Sequence, residues 1–264
     1  MNGLVIIILI FPLRSAEEAL LKRCSHFDLE TSNENAMKAC DVIVQERQNQ
    51  LNQCKKDLLQ AIKDGVKREK NLGNTGQESM FIEYVRISRT EGVDDKESTD
   101  IVIELLDQAG AGTPKTKAKA QDVHLNEKTK ALVWEHREKT HEIRRITKEL
   151  VGRVRSLRYF TVVRDLQKQT DHPMEVSCPS CNREKLPIEE VAVLSSCGHM
   201  GCLACVRSCA EKEECVYASL GQCKAAARVL NIVKAETLGV DDEARHGKGR
   251  HFGMKLEKVV ELIK

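Results

Sequence analysis

The chain has 264 residues, with 42 Lys and Arg against 40 Asp and Glu, so its net charge at pH 7 is only +2. That balance gives no global electrostatic case for a nucleic-acid or membrane-surface binder. With five Phe, three Tyr and one Trp, a single large aromatic-rich core is excluded in favour of long helices and small packed units.

Read from the N-terminus, the first feature is an apolar run, "LVIIILIFPL", over residues 4–13. Ten residues are too few for a membrane-spanning helix of roughly 20. No Lys or Arg precedes the run, which argues against a secretory signal. Ser15 with Glu18 forms a capping box that predicts a short amphipathic helix over residues 16–27. Residues 1–31 are therefore read as an apolar N-terminus and a short helix. From residue 35, Val44, Leu51 and Leu58 recur every seven residues, with Cys54, Ala61 and Ile62 beside the intervening positions. This predicts a long helix with a coiled-coil seam. Residues 72–121 are rich in Gly, Ser, Thr and charge and predict a flexible stretch around two short apolar helical pieces, residues 80–87 and 101–106.

A second long helix is predicted over residues 126–168. Ile143, Ile146, Leu150, Leu157 and Phe160 step along it by threes and fours, with Arg153 at one seam position. Residues 35–170 thus read as an antiparallel helical hairpin. Its second arm carries Arg144, Arg145, Lys148, Arg153, Arg155, Arg158 and Arg164. This basic segment, 143–168, reads as a solvated helix face or, alternatively, as a patch for nucleic acid or an acidic partner. After the cysteine-rich segment, "RVLNIV" predicts a strand, "DDEARHGKGRHFG" a loop, and "MKLEKVVELIK" an amphipathic helix, together residues 227–264.

Residues 177–223 hold eight of the eleven cysteines. The order is C-x2-C (Cys178, Cys181), C-x-H (Cys197, His199), C-x2-C (Cys202, Cys205), then Cys215 and Cys223. Zinc takes four soft or borderline donors in a tetrahedron, and two cysteines two residues apart grip one ion from a tight knuckle. Seven cysteines and one histidine supply two such sets, so two zinc ions per chain are expected, in a reducing compartment. Disulfides are the competing reading. Cys209, the eighth cysteine, reads as a small buried residue, though spacing alone allows it to replace Cys215 as ligand. Cys24, Cys40 and Cys54 read as helix core or seam. The sequence has no G-x-x-x-x-G-K-[ST] loop, so no ATP hydrolysis is expected of it.

The eight-ligand order resembles the RING finger of the C3HC4 type over residues 176–226. The resemblance implies a small zinc-bound α+β domain in which the ligand pairs interleave. Cys178, Cys181, Cys202 and Cys205 would hold the first zinc, and Cys197, His199, Cys215 and Cys223 the second. It further implies a ubiquitin-conjugating enzyme as partner, held in a reactive pose. Lys224, directly after the last ligand, would contact both ubiquitin and that enzyme. Two positions depart from the family's docking surface: Ser180 stands where an apolar residue is usual, and Val216 where a proline is usual. The flanks resemble the RING-containing region between the ATPase lobes of Swi/Snf-type helicase-like proteins. That implies a fragment of a larger nuclear protein in a DNA-repair or chromatin setting.

The expectation is thus a mainly α protein: a long antiparallel helical hairpin or coiled coil plus a small zinc-bound RING domain, without a membrane partner. The expected function is a RING-type ubiquitin ligase module. The alternatives are a non-catalytic zinc-stabilised interaction scaffold and a nucleic-acid-binding arm on the basic helix.

Overall fold

The computed structural model describes residues 33–72, 75–112, 125–168 and 175–238. The apolar N-terminus, the expected helix at 16–27 and the expected C-terminal helix lie outside the described residues. What is described is mainly helical, with five helices and one small three-stranded sheet. None of these helices is long and apolar enough to cross a membrane.

Two long helices dominate. Helix α1 spans Asn33–Leu72. Its outer faces are knitted by side-chain bonds four residues apart: Gln45 to Asn49 (3.1 Å), Gln53 to Asp57 (2.8 Å) and Gln60 to Asp64 (3.0 Å). Such pairs each add a few tenths of a kcal/mol to an exposed helix. The inner face buries Leu51, Cys54, Leu58 and Ile62 at steps of three and four. Helix α4, Glu127–Gln167, starts at Asn126, whose side chain accepts the Thr129 amide hydrogen at 2.8 Å.

The two helices run antiparallel. Gln167 meets Cys40, Arg153 meets Gln50, Ile146 meets Cys54 and His136 meets Glu69, so one number falls as the other rises. Of the expected seam on α4, Ile143 and Leu150 are buried, while Ile146, Leu157 and Phe160 are half-buried. The seam also contains His136, Thr140 and Thr147, all buried and none suggested by apolar periodicity. Each threonine hydroxyl donates to the carbonyl one turn back, Thr140 to His136 and Thr147 to Ile143. With that bond made, a threonine packs its methyl at little desolvation cost.

Within the Gly- and charge-rich stretch, the two apolar pieces form helices α2 (Met80–Thr90) and α3 (Lys96–Gln108). Ser79 caps α2 and Asp95 caps α3. Phe81, Tyr84, Val85, Val102 and Leu106 are buried in the same core as Leu58, Ile62 and Ile143. Together, α1 to α4 enclose one apolar interior.

Residues 175–238 form the second packed unit. Strand β1 (Val191–Leu194) pairs antiparallel with β2 (Met200–Cys202) and with β3 (Ile232–Lys234), giving the order β2-β1-β3. Of the "RVLNIV" segment only the last residues make the strand; Val229–Asn231 is a turn of 3-10 helix. Helix α5, Leu203–Glu211, packs on this sheet. All four residues of β1 are buried, so a strand flanked on both faces anchors the unit.

Candidate metal centres

The eight ligand-type side chains come together in two groups of four. Cys178, Cys181, Cys202 and Cys205 form one; Cys197, His199, Cys215 and Cys223 form the other. Within each group the ligand atoms all lie within 4.8 Å of one another. Each group could hold a metal ion, and zinc fits the donor set.

Local backbone explains the first group. The Cys178 amide donates to the Arg183 carbonyl (2.8 Å), and the Asn182 amide donates to the Cys178 carbonyl (2.9 Å). This closes a knuckle around Cys178 and Cys181, with Asn182 at φ 56, a left-handed conformation that asparagine tolerates. Cys202 ends β2 and caps α5, and Cys205 lies in the first turn of that helix. The second group starts on the turn between β1 and β2. The Cys197 and Gly198 amides both donate to the Leu194 carbonyl, at 3.2 and 2.7 Å. Gly198 sits at φ 75, and a Cβ there would lie 2.5 Å from the Tyr159 nitrogen of α4. Only glycine satisfies both demands. Cys215 and Cys223 come from the segment after α5, and the His199 ring stacks on Tyr217 with centroids 4.4 Å apart.

Distances test the fit. Four sulfurs around a tetrahedral zinc with bonds of about 2.3 Å lie roughly 3.8 Å apart. The Sγ atoms of Cys181 and Cys202 are 3.7 Å apart, and those of Cys197 and Cys215 are 3.6 Å apart. His199 Nδ1 is 3.4 Å from Cys215 Sγ. These are the separations of ligands sharing one ion, well beyond a disulfide bond of about 2.05 Å.

The thiols are chemically unequal. Burial raises Cys178, but backbone N–H groups of Cys202, Cys181 and Ser180 outweigh it and bring the thiol down to about 7. Cys205 is pushed up to about 12 by burial and by sharing hydrogen bonds with Cys202. In the second group, hydrogen bonding from Cys197 and Cys215 holds Cys223 far below the usual thiol range. Cys215 is driven far above it by the same two neighbours, Cys197 and Cys223, and by burial. Crowding within each group thus favours the thiolate at one cysteine and disfavours it at its neighbours. A soft divalent cation at the centre favours the thiolate at all of them at once.

Cys209 stands outside both groups, half-buried against the core around Cys197 and Cys215. Cys40 donates to Gln167 Oε1 (2.9 Å), and Cys54 is buried opposite the Ile146 carbonyl.

The second group is also tied to the helices. The Lys224 amide donates to the Asp94 carbonyl (2.6 Å), and the Lys96 amide donates to the Gln222 carbonyl (2.9 Å). These bonds make a two-way bridge between the loop before α3 and the segment carrying Cys223. Arg158 of α4 grips both Asp95 oxygens, at 2.9 and 3.0 Å, and Glu97 at 2.7 Å, and donates to the Cys197 carbonyl at 3.0 Å. Sequence reasoning passed over Asp95 and counted Arg158 only as part of a basic face. Their pairing spans 63 positions, which no local pattern signals.

These contacts place several residues singled out in the sequence. Lys224 is exposed, yet its amide binds Asp94 and its ammonium lies 3.2 Å from the Glu91 carbonyl. Both contacts tie Lys224 to the junction with the helices. Val216, which stands where the RING resemblance has a proline, is buried in the core. Several arginines of α4's basic face are already paired: Arg144 with Glu83 of α2 (2.8 Å) and Arg158 with Asp95 and Glu97 at the start of α3, and, within α4 itself, Arg153 with Glu149 (3.0 Å) and Arg164 with Asp165 (2.8 Å). These pairings leave fewer free guanidinium groups on that face than the sequence suggests.

No protein-family model matches the chain. A curated protein from Cryptococcus neoformans var. grubii, described as DNA (cytosine-5-)-methyltransferase DMT5, is 35% identical over 274 aligned positions. The alignment covers 95% of this chain and 11% of that protein, so the chain spans about a ninth of the relative's length. This finding overturns the RING and Swi/Snf helicase-like resemblances, and with them the expected ubiquitin ligase. The scaffold and nucleic-acid-arm alternatives gain no support either. What the chain resembles across nearly its whole length is one segment of a DNA cytosine-5-methyltransferase.

Proposed function

We propose that this chain serves DNA cytosine-5 methylation in the nucleus, as a zinc-holding segment of a protein like the fungal methyltransferase. The observation that carries the reading is 35% identity sustained over 95% of the chain, alongside two four-ligand groups at zinc spacing. Cys178, Cys181, Cys202 and Cys205 hold one zinc, and Cys197, His199, Cys215 and Cys223 hold the other. Thiolate and imidazole donors favour zinc over magnesium or calcium, which prefer oxygen. Both sets are filled by protein ligands, the mark of structural rather than catalytic zinc. The ions therefore supply folding energy to residues 175–238, and the chain's contribution to methylation is to hold its segments in place.

Two measurements test this. Elemental analysis of the purified chain is expected to give two zinc ions per molecule. The chain is then exchanged for the aligned segment of the fungal methyltransferase, and genomic 5-methylcytosine is measured. Methylation should persist with the intact chain and fall when the exchanged segment carries Cys197→Ser. Loss of methylation by the intact exchange, at normal protein level and full zinc content, would sink the reading.

A further inference from the structure

We infer that the second metal group and the helical core form a single latch, so that the zinc held by Cys197, His199, Cys215 and Cys223 leaves only when α4 and the loop before α3 let go. Arg158 and Asp95 act as positioning residues for that zinc. The inference rests on the two-zinc reading above.

Three polar or backbone contacts converge on this group, whereas the first group meets α4 through apolar packing, Cys178 and Cys202 sharing a buried cluster with Tyr159, Val162, Val163 and Leu166. Arg158 donates to the Cys197 carbonyl at 3.0 Å while both of its terminal nitrogens are held by Asp95, which is 3% exposed. The ligand's backbone is therefore held by a half-buried arginine whose buried carboxylate partner caps α3. Next, Gly198, between the ligands Cys197 and His199, lies so close to the α4 backbone that a Cβ would sit 2.5 Å from the Tyr159 nitrogen. Finally, Gln222 and Lys224, flanking the ligand Cys223, exchange backbone hydrogen bonds with Lys96 and Asp94. Three ligands of the second group are thus braced by residues 94–97 or 158–159.

The first group is differently placed. Cys181 is exposed and Cys205 half-buried, and its knuckle is closed by its own loop, through Arg183 and Asn182. Groups that orient a metal ligand typically change metal affinity by roughly ten- to a hundredfold when removed. Linkage makes the effect reciprocal: what α4 does for the second zinc, that zinc does for α4.

The test follows zinc release from the full chain into a chromogenic chelator. Wild type should release two equivalents in two phases, the slow one belonging to the second group; Cys223→Ser should leave only the fast one. Arg158→Met, with helix content preserved, should accelerate the slow phase about ten- to a hundredfold and leave the fast phase within about twofold. Equal acceleration of both phases, or of neither, overturns the latch. Should Arg158→Met fail to fold, the wild type itself decides, through hydrogen exchange at the Lys96 and Lys224 amides during zinc removal. Protection there should vanish with the second zinc and survive loss of the first; protection that outlasts both, or goes with the first, overturns it. A zinc content other than two rejects the two-zinc reading and the latch with it, whereas two zinc ions with unaltered release in Arg158→Met reject the latch alone.

Discussion

Two glycines in the long helices should respond in opposite ways to the same methyl group. Gly152 lies on the exposed face of α4, and a Cβ there meets nothing within 4 Å. Gly152→Ala should stabilise the protein by about 0.5–1 kcal/mol, the helix-propensity difference between the two residues. Gly65 lies on the inner face of α1, where a Cβ would sit 2.5 Å from Phe81 Cε2 and 2.9 Å from Cδ2. Carbon atoms pack best at about 3.5–4.0 Å, so the ring must retreat by roughly 1 Å. It has little room: Phe81 is 2% exposed, with Tyr84 and His136 rings 6.5 and 5.6 Å away. Overpacking of this kind costs about 1–3 kcal/mol, which outweighs the propensity gain. Gly65→Ala should therefore be neutral to about 2 kcal/mol destabilising, and Phe81→Leu should relieve part of that cost. Urea unfolding of the zinc-saturated chain, followed by far-ultraviolet circular dichroism, measures both variants. Equal stabilisation by the two substitutions would falsify the wedged placement of Phe81.

The one tryptophan, Trp134, is 63% exposed on α4, so its fluorescence should already be red-shifted in the native protein and change little on unfolding; strong protection from a soluble quencher would contradict this placement. Glu69 joins α1 to α4 and to the start of α2 through His136 Nε2 (2.8 Å) and the Ser79 hydroxyl. Burial raises its carboxyl, but these hydrogen bonds outweigh burial and hold it below the usual range. Because the folded value is the lower one, the stabilisation is complete above about pH 4.3, the unfolded value, and is lost as pH falls through the folded value. At pH 7, Glu69→Gln should cost about 1–2 kcal/mol, and that gap to the parent should narrow below about pH 4; a gap constant from pH 7 to pH 3 would refute the assignment.

Two kinds of feature could be read from the residues alone. The seam positions Leu51, Leu58, Ile143 and Leu150 stand out because burying an apolar side chain from a helix requires a repeat of three and four, and that repeat is written in consecutive residues. The eight ligand-type residues stand out because metal ligands come from short knuckles and turns, so their spacing is local chemistry, whereas their grouping into two interleaved fours is set by the fold. Other features depended on the fold. His136, Thr140 and Thr147 enter the seam as polar residues, His136 bonding Glu69 through Nε2 and the two threonine hydroxyls bonding within the helix, and an apolar pattern passes over them. Arg144 and Arg158 of α4 looked like part of an open basic face until α2 and the start of α3 brought acids to them. Asp95 and Arg158 lie 63 positions apart, and nothing in either neighbourhood marks them as partners. Ion pairs between distant segments carry no periodicity, because only chain packing selects which charges meet. What ties the second metal group to the helices was therefore decided by tertiary structure alone.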